Sequence, residues 1–278
     1  FSMMLPAFGD LNSDVIVDGL NNPWEIVFGP NGDIYFTERD GRIWKMSESG
    51  VAKVIQTFPK SGSVEGGTLG LALHPDFEEN NKIYVYQTNL ELEFYQNKVF
   101  SFEVDDGTLS NKQLILDGIP GAPWHDGGRI KFGPDEKLYI STGDAINPGW
   151  SQDLSSLAGK ILRINSDGTI PDDNPFDSSP IFSYGHRNPQ GLAWSADGLF
   201  LSSEHGPSGE LGYGHDEINL ILKGKNYGWP NIVGNSPDDS FVNPIIHSGE
   251  STWAPSGMIY FDSEKISDFT GKFLVGTL

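Results

Sequence analysis

A histidine stands beside a tight glycine turn in Trp124-His125-Asp126-Gly127-Gly128-Arg129, and a short apolar strand beginning at Leu138 runs on to Asp144. If that strand folds back over the turn, the Asp144 carboxylate reaches one imidazole nitrogen and leaves the other as a proton acceptor, the geometry of a general base. The flanking Pro123-Trp124 and Asp126-Gly127-Gly128 are loop residues, and a histidine displayed on a loop favours chemistry over the alternative, a structural histidine capping a turn.

Three further constellations follow. Arg187 beside Asn188, in the polar stretch Tyr184-Gly185-His186-Arg187-Asn188-Pro189-Gln190, offers a planar cationic fork and an amide suited to carboxylate or quinone oxygens. Its alternative is an arginine salt-bridged between neighbouring elements, and His186 is read as structural. Glu204-His205-Gly206-Pro207 holds a Gly-Pro turn whose outward carbonyls are oxygen ligands of the sort calcium accepts, unless it is an ordinary turn. Asp216-Glu217 brings adjacent carboxylates near the aromatic loop Lys225-Asn226-Tyr227-Gly228-Trp229-Pro230. In a strand the two side chains point to opposite faces, so a calcium site using both needs a bulge or a loop, and the alternative is a pair of surface acids.

The elements that position these groups are announced by a repeat. Phe28-Gly29-Pro30-Asn31-Gly32-Asp33 leads into Ile34-Tyr35-Phe36, and the same aromatic or apolar start followed by a turn and an alternating strand recurs from Leu73, Phe132 and Trp194, with a degenerate copy near Phe261. The spacing of about 45 to 67 residues, with a tight turn between two short strands in each copy, is the sequence form of β-propeller blades. Gly and Pro, 34 and 18 residues, interrupt nearly every window before a long helix accumulates, so an all-β fold is expected as a single domain over 1–278. Five partial repeats leave the ring open, which predicts a further blade of roughly 50 residues beyond the C-terminus.

The formal net charge is −20, from 38 acidic and 18 basic residues, and this excludes nucleic acid and anionic membrane surfaces as partners. With no cysteine, disulfides, zinc-thiolate sites and thiol catalysis are ruled out. No apolar run approaches the roughly 18 residues of a membrane span, and residues 1–10 are expected to be the remnant of a clipped signal peptide.

In order along the chain, Asn22-Pro23-Trp24, Thr37-Glu38-Arg39, His125-Asp126-Gly127-Gly128-Arg129, Ser141-Thr142-Gly143-Asp144, Gly159-Lys160-Ile161-Leu162-Arg163, Gly185-His186-Arg187-Asn188-Pro189-Gln190-Gly191, Glu204-His205-Gly206-Pro207, Asp216-Glu217-Ile218-Asn219, Asn226-Tyr227-Gly228-Trp229-Pro230 and Trp253-Ala254-Pro255-Ser256 resemble the glucose/sorbosone dehydrogenase family. These are soluble quinoprotein sugar dehydrogenases on a six-bladed β-propeller, and the ordered matches cover nearly the whole chain.

The resemblance implies pyrroloquinoline quinone and calcium as cofactors, an aldose substrate oxidised at its C1 hydroxyl, an external electron acceptor, and a periplasmic or secreted setting. His125 is then the base, Asp144 the carboxylate that orients it, and Arg187 and Asn188 the contacts to the quinone, with Thr252 lining the cofactor. The carbonyls of Gly206 and Pro207 match the ligands of the cofactor's calcium, and Asp216, Glu217 and the Tyr227 carbonyl match a second, structural calcium site. The family's cofactor-holding lysine and arginines are expected beyond Leu278. Two other functions are compatible with the fold: a calcium-dependent lactonase, which needs several side chains converging on one metal, and a non-catalytic binding propeller.

Overall fold

The computed structural model describes residues 14–105, 107–209 and 212–277. The expected signal-peptide remnant at 1–10 and Leu278 lie outside them. Strands β1 (Pro23–Phe28), β2 (Ile34–Glu38), β3 (Arg42–Met46) and β4 (Ala52–Thr57) form one antiparallel sheet. The second sheet consists of β5 (Thr68–Leu73), β6 (Lys82–Glu91), β7 (Phe94–Asp105) and β8 (Thr108–Pro120), and the third of β9 (Ile130–Phe132), β10 (Leu138–Thr142), β11 (Lys160–Ile164) and β12 (Ile181–Tyr184). In the fourth, β13 (Pro189–Trp194) and β14 (Phe200–Glu204) are followed by a small ribbon, β15 (Ser208–Gly209) and β16 (Gly212–Tyr213), before β17 (Glu217–Leu220) and β18 (Ile246–His247) complete the sheet. A last pair, β19 (Met258–Phe261) and β20 (Lys272–Val275), stands alone.

The repeat falls at one structural position, the turn between the first and second strands of each sheet. Its first four copies close the turn in the same way: Gly29 N donates to Asp33 O at 2.7 Å, His74 N to Lys82 O at 2.9 Å, Gly133 N to Lys137 O at 2.9 Å and Ser195 N to Leu199 O at 2.9 Å. The propeller is thus confirmed, but the six-blade count is corrected for this chain. Among the described residues there are four four-stranded sheets and two two-stranded ones, the short β15–β16 ribbon within the fourth repeat and the β19–β20 pair of the fifth.

Neighbouring sheets bury apolar side chains face to face. Tyr35, Ile43 and Ile55 of the first pack on Leu71, Ile83 and Val85 of the second. The second contributes Leu69, Tyr84 and Tyr86 against Leu138, Ile140 and Leu162 of the third, whose Tyr139 and Ile161 meet Leu192 and Phe200 of the fourth. Both faces of a middle blade are covered in this way, which is why all five residues of β10 are buried rather than alternating in and out. A largely apolar cavity of about 710 Å³ is lined by residues of the first strands together with Ile34, Phe36 and Met46 of the first sheet. Across it Arg129 donates from Nε to Gln190 O at 2.8 Å, pairs through Nη1 with Glu25 at 2.5 Å, and lies over the Trp24 ring at 3.9 Å.

The second strand of each sheet ends on the same face where the next sheet's first strand begins, so the loops around 120–129, 143–159, 185–188 and 205–216 share one end of the propeller. All the candidate residues sit on those loops or at the strand ends beside them, apart from Tyr227 and Thr252, which are on neighbouring loops. No helix among the described residues is long and apolar enough to cross a membrane.

Candidate active site

His125 adopts a positive φ of 63°, a conformation that costs a non-glycine residue energy and persists only where its surroundings enforce it. They do so from several directions. The His125 N–H donates to the Glu65 carboxylate at 2.8 Å, its carbonyl accepts from Ala145 N at 3.2 Å, and Gly127 N donates to Asn188 Oδ1 at 3.1 Å. One residue on, the buried Asp126 side chain accepts from Asn97 Nδ2 at 3.0 Å and Ala122 N at 3.1 Å, pinning the loop from below. Burial pushes the Asp126 carboxyl up to about 6 against the pull of those donors.

The pairing expected from sequence is present. His125 Nδ1 lies 2.7 Å from Asp144 Oδ1, and since an ionised carboxylate only accepts, the imidazole proton sits on Nδ1. Asp144 is buried; its Oδ1 also accepts from Ile146 N at 2.9 Å and its Oδ2 from the Trp229 indole N–H at 2.8 Å. Arg187 Nη2 approaches His125 Nε2 at 3.0 Å, and Asp144 N donates to Arg187 O at 2.7 Å. Base, orienting carboxylate and guanidinium therefore form one cluster drawn from the third and fourth sheets and the loop between the second and third.

Asn188 joins that cluster with a donor to spare. Its Oδ1 accepts from Gly127 N and from Gln190 Nε2 at 3.0 Å, whereas its buried Nδ2 has no partner, and neither does the buried His205 Nε2. A buried amide left without an acceptor is costly, so these atoms mark a place where an oxygen-rich ligand fits. His186 is structural, as expected: fully buried, it donates from Nδ1 to Glu204 at 2.9 Å, meets Ser183 Oγ at 2.8 Å and stacks on Tyr227.

The metal candidates divide into two environments. Gly206, Pro207, Glu217 and Tyr227 line a cavity of about 20 Å³ with Glu204 and Arg187, room for one water-sized sphere. Glu217 opposes Glu204 across the β14–β17 pair, and Asn219 Nδ2 donates to both, at 3.1 Å and 3.3 Å. Burial, reinforced by the Glu204 charge, pushes the Glu217 carboxyl up to about 8. Asp216 points elsewhere. Its carboxylate accepts from Gly206 N at 2.8 Å, Thr252 Oγ1 at 2.8 Å, Trp253 N at 2.6 Å and Ala254 N at 2.9 Å. Although burial works against it, those four donors together hold its carboxyl below the ordinary range. Asp216 and Thr252 thus tie the loop at 252–254 to Gly206 rather than facing the small cavity.

Three participants carry no local signature in the sequence. Glu65 and Trp229 contact the dyad across 60 and 85 residues of chain, for which adjacency gives no signal. Glu204 opens the Glu204-His205-Gly206-Pro207 stretch, and its pairing with Glu217 emerges only from strand register.

A family model described as glucose/sorbosone dehydrogenase matches residues 20–278. Quinoprotein glucose dehydrogenase B of Acinetobacter calcoaceticus is 36% identical over 268 residues, covering 84% of this chain, and the chain spans only 55% of that protein's length. Aldose sugar dehydrogenase YliI of Escherichia coli is 31% identical over 306 residues, covering 100% of this chain and 80% of that protein. Among solved structures, a glucose dehydrogenase-type oxidoreductase from Thermus thermophilus superposes with a TM-score of 0.88 at 40% identity, covering 95% of this chain and 79% of that one. The PQQ-bound aldose sugar dehydrogenase of Streptomyces coelicolor superposes with a TM-score of 0.84 at 34% identity, covering 95% and 77% of the two chains.

Proposed function

Since the chain belongs to the glucose/sorbosone dehydrogenase family, we propose that it is a quinoprotein sugar dehydrogenase that oxidises the C1 hydroxyl of an aldose to the lactone. The observation that carries this reading is the partly exposed His125 paired with the buried Asp144, with a guanidinium and an unpartnered amide beside them.

The residues present suit the cofactor. Asn188 Nδ2 is a buried donor without an acceptor, and together with the Arg187 guanidinium it would hold the oxygens of pyrroloquinoline quinone. When bound, that group supplies the acceptor for the hydride leaving C1. The protein's own part is proton transfer: His125 Nε2 takes the proton of the C1 hydroxyl while Asp144 stabilises the resulting imidazolium through Nδ1–H. Gly206, Pro207 and Tyr227, with the facing Glu204 and Glu217, would supply the oxygens to hold calcium at the small cavity. A periplasmic or secreted setting and an external electron acceptor complete this reading.

A lactonase is less well supported, because no group of three or more His, Cys, Asp or Glu side chains among the described residues converges for a metal. The assembled base argues against a purely binding role. Titration of the protein with pyrroloquinoline quinone, with and without calcium, tests the proposal through the cofactor's absorbance. Calcium-dependent binding followed by bleaching on addition of glucose is expected. Lactone turnover without quinone would overturn it.

A further inference from the structure

Trp229 touches both partners of the base. Its indole N–H is the donor to Asp144 Oδ2, at 2.8 Å, and its ring lies 5.5 Å from the Arg187 guanidinium carbon. The side chain is itself buried, 6% exposed, and its backbone is clamped: N–H to Gly185 O at 2.9 Å and carbonyl from Gln152 Nε2 at 2.7 Å. Gln152 and Asn226 exchange a reciprocal pair of hydrogen bonds, 3.0 Å and 2.8 Å, that fixes the same loop. That loop also carries Tyr227, on the small acid-lined cavity.

We propose that Trp229 is a positioning residue for proton abstraction, holding the second oxygen of Asp144 so that the first stays aimed at His125, and supporting Arg187 from beneath. A carboxylate with donors on both oxygens cannot rotate away from the imidazole, and sharing its charge with the indole moderates how strongly it stabilises the imidazolium. Without the indole N–H, Oδ2 is a buried acceptor with no donor, and the full carboxylate charge falls on His125. The inference rests on His125 acting as the base, but its test does not depend on turnover.

The His125 ring resonances are followed by NMR against pH in the cofactor-free protein, unmodified and as Trp229→Phe, which keeps an aromatic ring and loses the donor. The expected result is an upward move of the titration midpoint by about half to one unit, the size of one hydrogen bond's worth of charge compensation. In an Asp144→Asn background the same substitution should move it far less, since the effect acts through that carboxylate. An unchanged midpoint in a folded Trp229→Phe protein, or an equal move with Asp144→Asn, overturns the proposal whether or not the protein oxidises sugars. If Trp229→Phe does not fold, benzothienylalanine placed at position 229, which keeps the indole shape without the N–H, carries the same comparison. In the quinone-loaded enzyme, kcat should fall about 10- to 100-fold with sugar KM little changed.

Discussion

Arg187 Nη2 lies 3.0 Å from His125 Nε2, so the imidazole is gripped at both nitrogens, by a guanidinium on one side and the Asp144 carboxylate on the other. A guanidinium can only donate, so Nε2 presents its lone pair and the ring is the neutral tautomer a base requires. A sugar hydroxyl giving up its proton there must take the place Nη2 occupies. Arg187→Lys loses the fork and the stacking on Trp229, and sugar-dependent dye reduction should drop about 100-fold in kcat/KM. Unaltered kinetics would show that the guanidinium takes no part.

For His125→Ala the expectation is a loss of about 10²- to 10⁴-fold in kcat, the usual worth of a positioned base. Quinone binding, read from absorbance, should stay within a few-fold of the unmodified protein. A loss of binding equal to the loss of rate would place His125 among the cofactor contacts instead.

Asp126 makes a pH prediction. Its folded carboxyl is raised from 3.8 to about 6, so between those values the native state holds a proton that the unfolded chain has released. Stability therefore falls as pH rises from about 4 to about 6, because the native state binds more protons. Thr88 Oγ1 is buried without a partner, and an ideal Cβ at Gly66 would sit 2.6 Å from it and 2.8 Å from Asp126 Oδ2, so both oxygens face the space beside Gly66. Asp126→Asn puts a permanent donor there. Denaturant titrations should show the pH 4–6 slope flattened and equal or greater stability at pH 7. A slope that survives the substitution would assign it to other carboxyls.

The facing acids Glu204 and Glu217 predict a metal response. Calcium at 100-fold excess over its dissociation constant should raise the midpoint of thermal unfolding by about 5 °C, and chelation should reverse the rise. In Glu217→Gln the calcium effect should be largely lost, while the metal-free variant melts no lower than the unmodified protein, since the neutral amide replaces a carboxyl whose charged form burial and Glu204 already disfavour. Calorimetry with and without chelator decides this.

A methyl group at position 143 is also informative. A Cβ on Gly143 would collide with the His125 carbonyl and lie 2.9 Å from Asn188 Oδ1, so the strand end carrying Asp144 could no longer approach the histidine turn. Gly143→Ala should cost about 3 kcal/mol in chemical denaturation, at the upper end of overpacking effects, and activity should fall with it. A cost below about 1 kcal/mol would mean that the turn yields more easily than its contacts suggest.

Much of this architecture was legible in the chain because propeller blades repeat locally. The turn after Phe28, Leu73, Phe132 and Trp194 is written within about ten residues, and its hydrogen bond recurs at each site. His125 and Asp144 could be paired on paper for the same reason, since one hairpin separates them. The single calcium site that the resemblance implies for Asp216, Glu217 and Tyr227 is divided here: Glu217 and Tyr227 share the small cavity, while Asp216, one residue before β17, bonds to Gly206 and the loop at 252–254. The braces were not legible. Glu65 and Trp229 approach the dyad because blades stack face to face, and that juxtaposition depends on packing angles no local pattern encodes. The blade count failed differently: a motif shared with a six-bladed family says nothing of how many strands a given chain supplies.

The bonds that hold the base span 60, 62 and 85 residues, each reaching across separately packed sheets. Contacts of such high sequence separation form late, after the loops between them have been closed at an entropic cost. In refolding, the competence of His125 would consequently trail the appearance of the sheets, and the site would report the docking of the third and fourth blades rather than the formation of any one of them.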